Sequence, residues 1–286
     1  MHHILYQSQE FLRRNKKMLK KTSNLLFLFV AALLFYLISL YSIQDKLIFH
    51  PDKFYVGPES AGVSEFEENP FVSFGGQMNM GWYYQGKKDK PLILFFHGNA
   101  GQLATFAPKL KMYLEEGYSV FMPEYRGFGS TKGKLDEDTM YADAIAAFDF
   151  VQEKYNPKQI VVFGYSMGTA PASALAEMRK PDAVVLAAPF YSLEREVEDK
   201  KVPLSKYVLK NRLKSYKYIS KYEGKLLIIH GDKDTLIKPE HGKDLFEISP
   251  SKEKQFILAG GVDHNYLFFN EENHQHIMDW LKQKFE

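Results

Sequence analysis

At 286 residues the chain can hold one large α/β domain or two smaller ones, and its 45% hydrophobic and 25% charged residues describe an ordinary globular protein. The net charge of +2 comes from Arg13, Arg14, Lys16, Lys17, Lys20 and Lys21, set against Glu10 alone in residues 1–24. The remainder is mildly acidic, which argues against a nucleic-acid-binding face. The chain has no cysteine, which excludes disulfides, thiolate catalysis and cysteine metal sites and leaves the compartment open.

Leu25 to Ile43, LLFLFVAALLFYLISLYSI, is apolar and uncharged. At about 19 residues it can cross a ~30 Å hydrocarbon core as a helix, with Tyr36 and Tyr41 toward the end where interfacial aromatics collect. A buried core helix would need a polar face. A cleaved signal peptide would need small residues where Leu40 or Tyr41 stands, near Ser39 and Ser42. The run therefore reads as an uncleaved signal anchor, one transmembrane helix over 25–43. The basic cluster ahead of it makes residues 1–24 a cytoplasmic tail. By the positive-inside rule it sends residues 44–286 into the periplasm, the lumen or the exterior. Met18-Leu19-Lys20-Lys21 would itself start such an anchor, so residues 1–17 are a candidate extension.

From Gln44 to Gly86, aromatic and polar residues alternate among glycines and prolines, and Phe71-Val-Ser-Phe and Trp82-Tyr-Tyr predict strands. From Lys90 on, strands alternate with helices. The predicted strands are Pro91–Phe96, Ser119–Met122, Gln159–Phe163, Ala183–Ala187, Leu226–Ile229 and Gln255–Leu258. Helices are predicted up to about Glu116 and over Leu135–Lys154, Thr169–Lys180, Pro239–Ile248 and Glu271–Phe285. Continuous apolar strands alternating with helices predict a parallel sheet covered on both faces. Phe190 to Gly224 breaks the rhythm. It is too long for an ordinary connection and reads as a cap insertion over an active site or as a surface excursion.

The chain's chemistry centres on Gly164-Tyr165-Ser166-Met167-Gly168, between an apolar strand and an Ala-rich helix. This is the context of a nucleophile elbow, a turn tight enough to require glycine two residues either side of the serine. It puts Ser166 at a helix N-terminus, where an anion is favoured. A serine site for acyl transfer also needs a base, an acid that orients it, and oxyanion donors. His264 lies in a Gly-rich loop after the last strand and is the preferred base over His230, His241, His274 and His276. Of these, His230 reads as packed and structural, and His274 and His276 as solvated residues of the final helix. Asp234 is the preferred acid; Asp232 would brace its turn, and Asp263 is structural. The backbone amides of Met167 and Asn99 are the candidate oxyanion donors, Asn99 lying in the loop after Phe96 with Gly98 and Gly101 beside it.

The chain from about Asp45 onward resembles the α/β-hydrolase superfamily, in particular a branch of membrane-anchored serine hydrolases with an H-G-N-A-G oxyanion loop. The matching residues are Phe49-His50-Pro51, Phe95 to Gly101, Tyr125-Arg126-Gly127-Phe128-Gly129-Ser130, Gly164 to Gly168, His230 to Asp234, and His264. The order Ser166, Asp234, His264 is that of the superfamily. Glu124 stands where an aspartate often precedes the Tyr-Arg-Gly loop. The resemblance implies an α/β-hydrolase fold with a mostly parallel eight-stranded sheet. It also implies hydrolysis of carboxylic esters or thioesters, including long acyl groups carried by lipid or protein, without cofactor or metal. Two other readings share the fold. One is a membrane-anchored serine peptidase that would seat a substrate amine on Glu194, Glu196, Glu198 or Asp199. The other is a non-catalytic scaffold. A metal-dependent hydrolase lacks ligand spacing of the H-E-x-x-H kind. The lysines of the Phe190–Gly224 insertion read either as a surface for anionic lipid or as a solvated face.

Overall fold

A computed structural model describes residues 2–52 and 54–286, with side chains described from Glu10 onward; Met1, the first residue of the predicted tail, lies outside the described residues. Helix α1 (His2–Ile48) contains the predicted span and extends well past both its ends. No glycine or proline occurs between His2 and Ile48, and the flanks are rich in Leu, Lys and Arg, which favour helix. The helix ends just ahead of Pro51. The portion Glu10–Ile48 is long and apolar enough to cross a membrane, and its most apolar window is entirely unburied.

The strands in chain order are β1 (Glu67–Glu68), β2 (Phe71–Val72), β3 (Met78–Asn79), β4 (Gly81–Tyr84), β5 (Leu92–Phe96), β6 (Ser119–Pro123), β7 (Ile160–Tyr165), β8 (Ala183–Ala187), β9 (Lys225–Gly231) and β10 (Lys254–Ala259). Eight of them form one sheet in the order β1-β4-β6-β5-β7-β8-β9-β10. The pairs β1/β4 and β4/β6 are antiparallel, and every pair from β6 through β10 is parallel. This is the mostly parallel eight-stranded sheet of the α/β-hydrolase fold. Phe71-Val-Ser-Phe gives only the two residues of β2, in a separate hairpin with β3, because Gly75 and Gly76 turn the chain with positive φ of 72° and 74°.

Helices α2 (Leu103–Phe106), α3 (Lys111–Glu115), α4 (Glu137–Tyr155), α5 (Thr169–Met178), α6 (Leu193–Asp199), α7 (Ser205–Val208), α8 (Ser215–Ile219), α9 (Pro239–Ile248), α10 (His264–Phe269) and α11 (Glu271–Phe285) follow in chain order. Between α2 and α3 the predicted single helix is broken by a 3-10 turn that begins with Ala107-Pro108, since proline cannot supply the next helical N–H. The sheet separates two apolar layers. On one face Leu94, Val162 and Val184 pack under α4, α5 and α8, with Met140, Leu175 and Ile219. On the other, Ile93, Phe163 and Val185 pack against Tyr113, Phe268 and Leu281. Alternate residues of one strand thus serve opposite layers, so the parallel strands are apolar throughout.

Candidate active site

Strand β7 ends in the elbow. Ser166 has φ of 51°, the left-handed region a non-glycine residue enters only when its surroundings hold it there. The flanking glycines are sterically required. A Cβ on Gly164 would stand 2.4 Å from the Gly168 carbonyl oxygen, and a Cβ on Gly168 would stand 2.1 Å from that of Phe96.

The loops that meet Ser166 are fixed by sheet register. β5 pairs with β7 so that Phe96 lies beside Gly164, which delivers His97 to Gly101 next to the elbow. β9 and β10 pair through to Gly231 and Ala259, so the loops that follow them run side by side. They are joined by Asp232 N to Ala259 O (2.9 Å) and Lys233 N to Val262 O (2.9 Å). Asp232 Oδ1 accepts from Gly261 N at 2.7 Å, and Asp263 caps α10 by accepting from Tyr266 N at 2.8 Å. Both side chains brace the loops.

Ser166, His264 and Asp234 come together in this arrangement. Ser166 Oγ donates to His264 Nε2 at 2.8 Å, and His264 Nδ1 donates to Asp234 Oδ2 at 2.7 Å. Asp234 Oδ1 accepts from the amides of Leu236 (3.0 Å) and Ile237 (2.8 Å). Burial alone would push the Asp234 carboxyl up. Hydrogen bonds from His230, His264 and the Ile237 amide, with the charge of His264, outweigh it and hold the carboxyl well below the usual carboxylate range. His264 also rests on the Tyr165 ring, whose hydroxyl donates to the His264 carbonyl oxygen at 3.1 Å.

The loop after β5 is held from several sides. The His97 ring bridges the Gly98 carbonyl (Nδ1, 2.8 Å) and Glu124 (Nε2, 2.8 Å), while Glu124 Oε2 accepts from Leu103 N at 3.1 Å. Tyr125 donates its hydroxyl to His97 O at 2.9 Å. Glu124 is therefore the acidic brace of this loop. Asn99 Oδ1 accepts from His50 N (2.9 Å) and Asn99 Nδ2 donates to Ile48 O (2.5 Å), so Phe49-His50-Pro51 is bound to the loop. Asn99, Ser166 and Met167 line one cavity of about 380 Å3, whose other walls are mainly apolar.

A family model described as alpha/beta hydrolase fold matches residues 91–204, from the start of β5 through the elbow to the insertion. Protein Rv2307c of Mycobacterium tuberculosis is 30% identical over 235 residues, 79% of this chain and 82% of that protein. The chain belongs to the α/β-hydrolase family. This hydrolase is also 24% identical over 281 residues to the lysophosphatidylserine lipase ABHD12 of Danio rerio, over 86% of this chain and 74% of that one. The Pyrococcus furiosus esterase Pf2001 shares its fold, with a TM-score of 0.71 and 20% identity over 84% of this chain and 99% of that one. In fold the protein is an esterase- and lipase-like α/β hydrolase.

His274 of this hydrolase stands differently from its sequence reading. His274 is buried, with Nε2 donating to Phe268 O (2.6 Å) and Nδ1 accepting from Tyr113 (2.9 Å). It falls on the stripe of α11 with Ile277, Met278 and Leu281, and a helical count of that stripe could have found it. His230 is buried as expected. It also reaches the acid, its Nε2 lying 2.9 Å from Ile237 O and 3.3 Å from Asp234 Oδ2.

The four candidate acids of the insertion each have a cation nearby, although Glu196 Oε2 is buried without a hydrogen-bond partner. Glu194 pairs with Arg212, Glu196 with Lys200, Glu198 with Lys206, and Asp199 with Lys238 and His241. Glu196 alone of these lines the cavity, and burial pushes its carboxyl up toward the neutral form. Glu196, Asp199 and His241 cluster with metal-like spacing. Tyr191 N donates to His241 Nδ1 (3.0 Å), which puts the ring hydrogen on Nε2, and Nε2 donates it to Asp199 (3.1 Å). The ring then has no lone pair to give a metal. These pairings, with Lys221 held by Glu177, also leave less free positive charge for anionic lipid than the lysine count suggests.

Proposed function

We propose that this chain is a membrane-anchored serine hydrolase that cleaves carboxylic esters or thioesters of acyl groups through an acyl-enzyme on Ser166. The observation that carries the reading is the continuous Ser166–His264–Asp234 relay at the floor of an apolar cavity. Ser166 Oγ attacks the acyl carbonyl while His264 Nε2 takes its proton. The proton then passes to the departing alcohol or thiol, and the acyl group stays on Ser166. Water, deprotonated by the same nitrogen, releases the acid and restores the hydroxyl. Asp234 remains ionised throughout and holds the imidazole with its hydrogen on Nδ1. The amides of Met167 and Asn99 stabilise the oxyanion, a role worth about 10²–10³ in turnover per donor in a comparable site.

Helix α1 supplies the anchor, with the basic N-terminal segment cytoplasmic and the hydrolase domain on the far side. The insertion of α6 to α8 is the cap. Kinship with a lysophosphatidylserine lipase supports an acyl-lipid substrate. The peptidase reading has less support because Glu194, Glu198 and Asp199 are paired, which leaves Glu196 as the one candidate acid on the cavity. A fluorophosphonate probe should label the native chain and spare Ser166→Ala, and p-nitrophenyl esters should be hydrolysed by the former only. Equal labelling of both would remove Ser166 as nucleophile, and no labelling of the folded native chain would favour a scaffold.

A further inference from the structure

The cavity above Ser166 is not walled by the cap and the sheet alone. Leu40, Gln44, Leu47 and Ile48, on the last turns of α1, line it opposite Val197 of α6 and Val208 at the end of α7. The one polar side chain among the four is fully used. Gln44 Nε2 donates to Val208 O (3.0 Å), and Gln44 Oε1 accepts from Lys210 N (2.7 Å). What α1 offers the cavity is hydrocarbon, and the Ile48 carbonyl at its end is tied to Asn99 beside Ser166.

A second contact fixes the depth. Tyr36 donates its hydroxyl to Pro203 O at 2.9 Å, so the Val202-Pro203-Leu204 tip of the cap touches α1 inside the apolar run. Tyr36 lies seven residues before Ile43, or about 10 Å along a helix. With Leu25–Ile43 in the hydrocarbon, the tip sits within the leaflet, at the depth to which apolar faces of interfacial segments sink, roughly 5–10 Å. Its side chains suit that place: Val202 is 38%, Leu204 43% and Tyr207 71% exposed. Leu47, Val202 and Leu236 both line the cavity and remain exposed, so its rim is apolar too.

We infer that the last turns of α1 form one wall of an acyl-chain site, entered sideways from the leaflet between α1 and the cap tip. Its ligand is the single acyl chain of a membrane amphiphile. A volume of about 380 Å3 is near the lower end of the roughly 300–1,000 Å3 of small-ligand sites, which favours one chain over a pair. The inference rests on the serine-hydrolase reading and adds the substrate class and its route. It makes the anchor part of the binding site, so the helix does more than tether the domain.

The test uses the full chain in phosphatidylcholine–phosphatidylglycerol vesicles. A hexadecyl fluorophosphonate carrying a mid-chain diazirine is allowed to react and is then irradiated, and cross-linked peptides are mapped by mass spectrometry. The expected adduct joins Ser166 to residues 40–48 as well as to the cap. A Ser166 adduct with cross-links on the cap and none on α1 would overturn the inference and leave the serine-hydrolase reading intact. Absence of a Ser166 adduct would overturn both. Because the chain has no cysteine, Leu204→Cys carries a single environment-sensitive dye. Its emission should be quenched by lipids brominated at mid-chain, and quenching only by aqueous iodide would overturn sideways entry. Leu40→Trp, which fills the cavity, should lower hexadecanoyl-ester hydrolysis relative to butanoyl-ester hydrolysis by about tenfold or more. An unchanged ratio would mean the chain lies elsewhere.

Discussion

At the scale of single residues, the acid of the relay is distinguished by what its two oxygens receive. Asp234 takes two amides on one oxygen and the His264 imidazole on the other, with His230 Nε2 3.3 Å away, whereas Asp232 takes one loop amide. His264→Ala should therefore lower ester hydrolysis by about 10⁶ and Asp234→Asn by about 10⁴, by comparison with a serine protease whose triad acts as a unit. Asp232→Ala should cost far less, and steady-state kinetics on one soluble ester would read all three. Full activity in Asp234→Asn with loss in Asp232→Ala would reverse the assignment. Ser166, His264 and Asp234 could be located from sequence because each lies in or just past a short loop whose glycines and preceding apolar strand are local signals. His230 beside Asp234, and His97 between Gly98 and Glu124, could not. Those contacts depend on how the ends of neighbouring strands and their loops are placed beside one another, which the local sequence pattern does not show.

At the scale of elements, helix α11 carries a titratable group into the interior. Burial holds the His274 imidazole down to about 4 from its ordinary 6.5. The folded chain then keeps this residue neutral while the unfolded chain protonates it. The contribution to stability is complete above about pH 6.5 and is lost as the pH falls toward 4, up to about 3 kcal/mol. Burial shifts His241 in the same direction. Denaturant midpoints measured across this range should fall with acid in the native chain and fall less steeply in His274→Gln. Parallel curves would mean His274 contributes nothing to the slope. The elements themselves were readable wherever the sequence period was strong, as in β5, β7 and α4. The misread stretches include Phe71 to Phe74 and the helix before Glu116, where Gly75-Gly76 and Pro108 override the apolar pattern, and 264–269, read as loop but forming α10. The boundary expected at Ile43 is not a break, because helix-forming residues continue to Ile48.

At the scale of the whole molecule, the charge of the N-terminal segment and the length of α1 set how the hydrolase would sit. With Arg13 to Lys21 cytoplasmic, protease added outside intact cells or spheroplasts should digest the hydrolase domain. Protection until lysis would reverse the orientation, and a mature chain starting near residue 43 would reveal cleavage. The basic stretch and apolar run that suggest an anchor are visible in sequence. Its share in the cavity is not, since that depends on groups more than 150 residues apart, the Gln44 side chain and the Val208 carbonyl.

The junction between α1 and the domain has a mechanical consequence. Its 47 residues make a rod of about 70 Å, more than twice the ~30 Å of a hydrocarbon core. No loop interrupts the rod before it is tied to the domain through Tyr36, Gln44 and Ile48. A helix whose apolar run is longer than the bilayer is thick can tilt, and a domain tied to it this closely would tilt with it. Membrane thickness would thereby act as a control on the angle at which the cavity rim meets the lipid. Turnover of a long-chain ester in vesicles of graded acyl length should peak at one thickness and fall on either side, with a soluble short-chain ester showing no such peak.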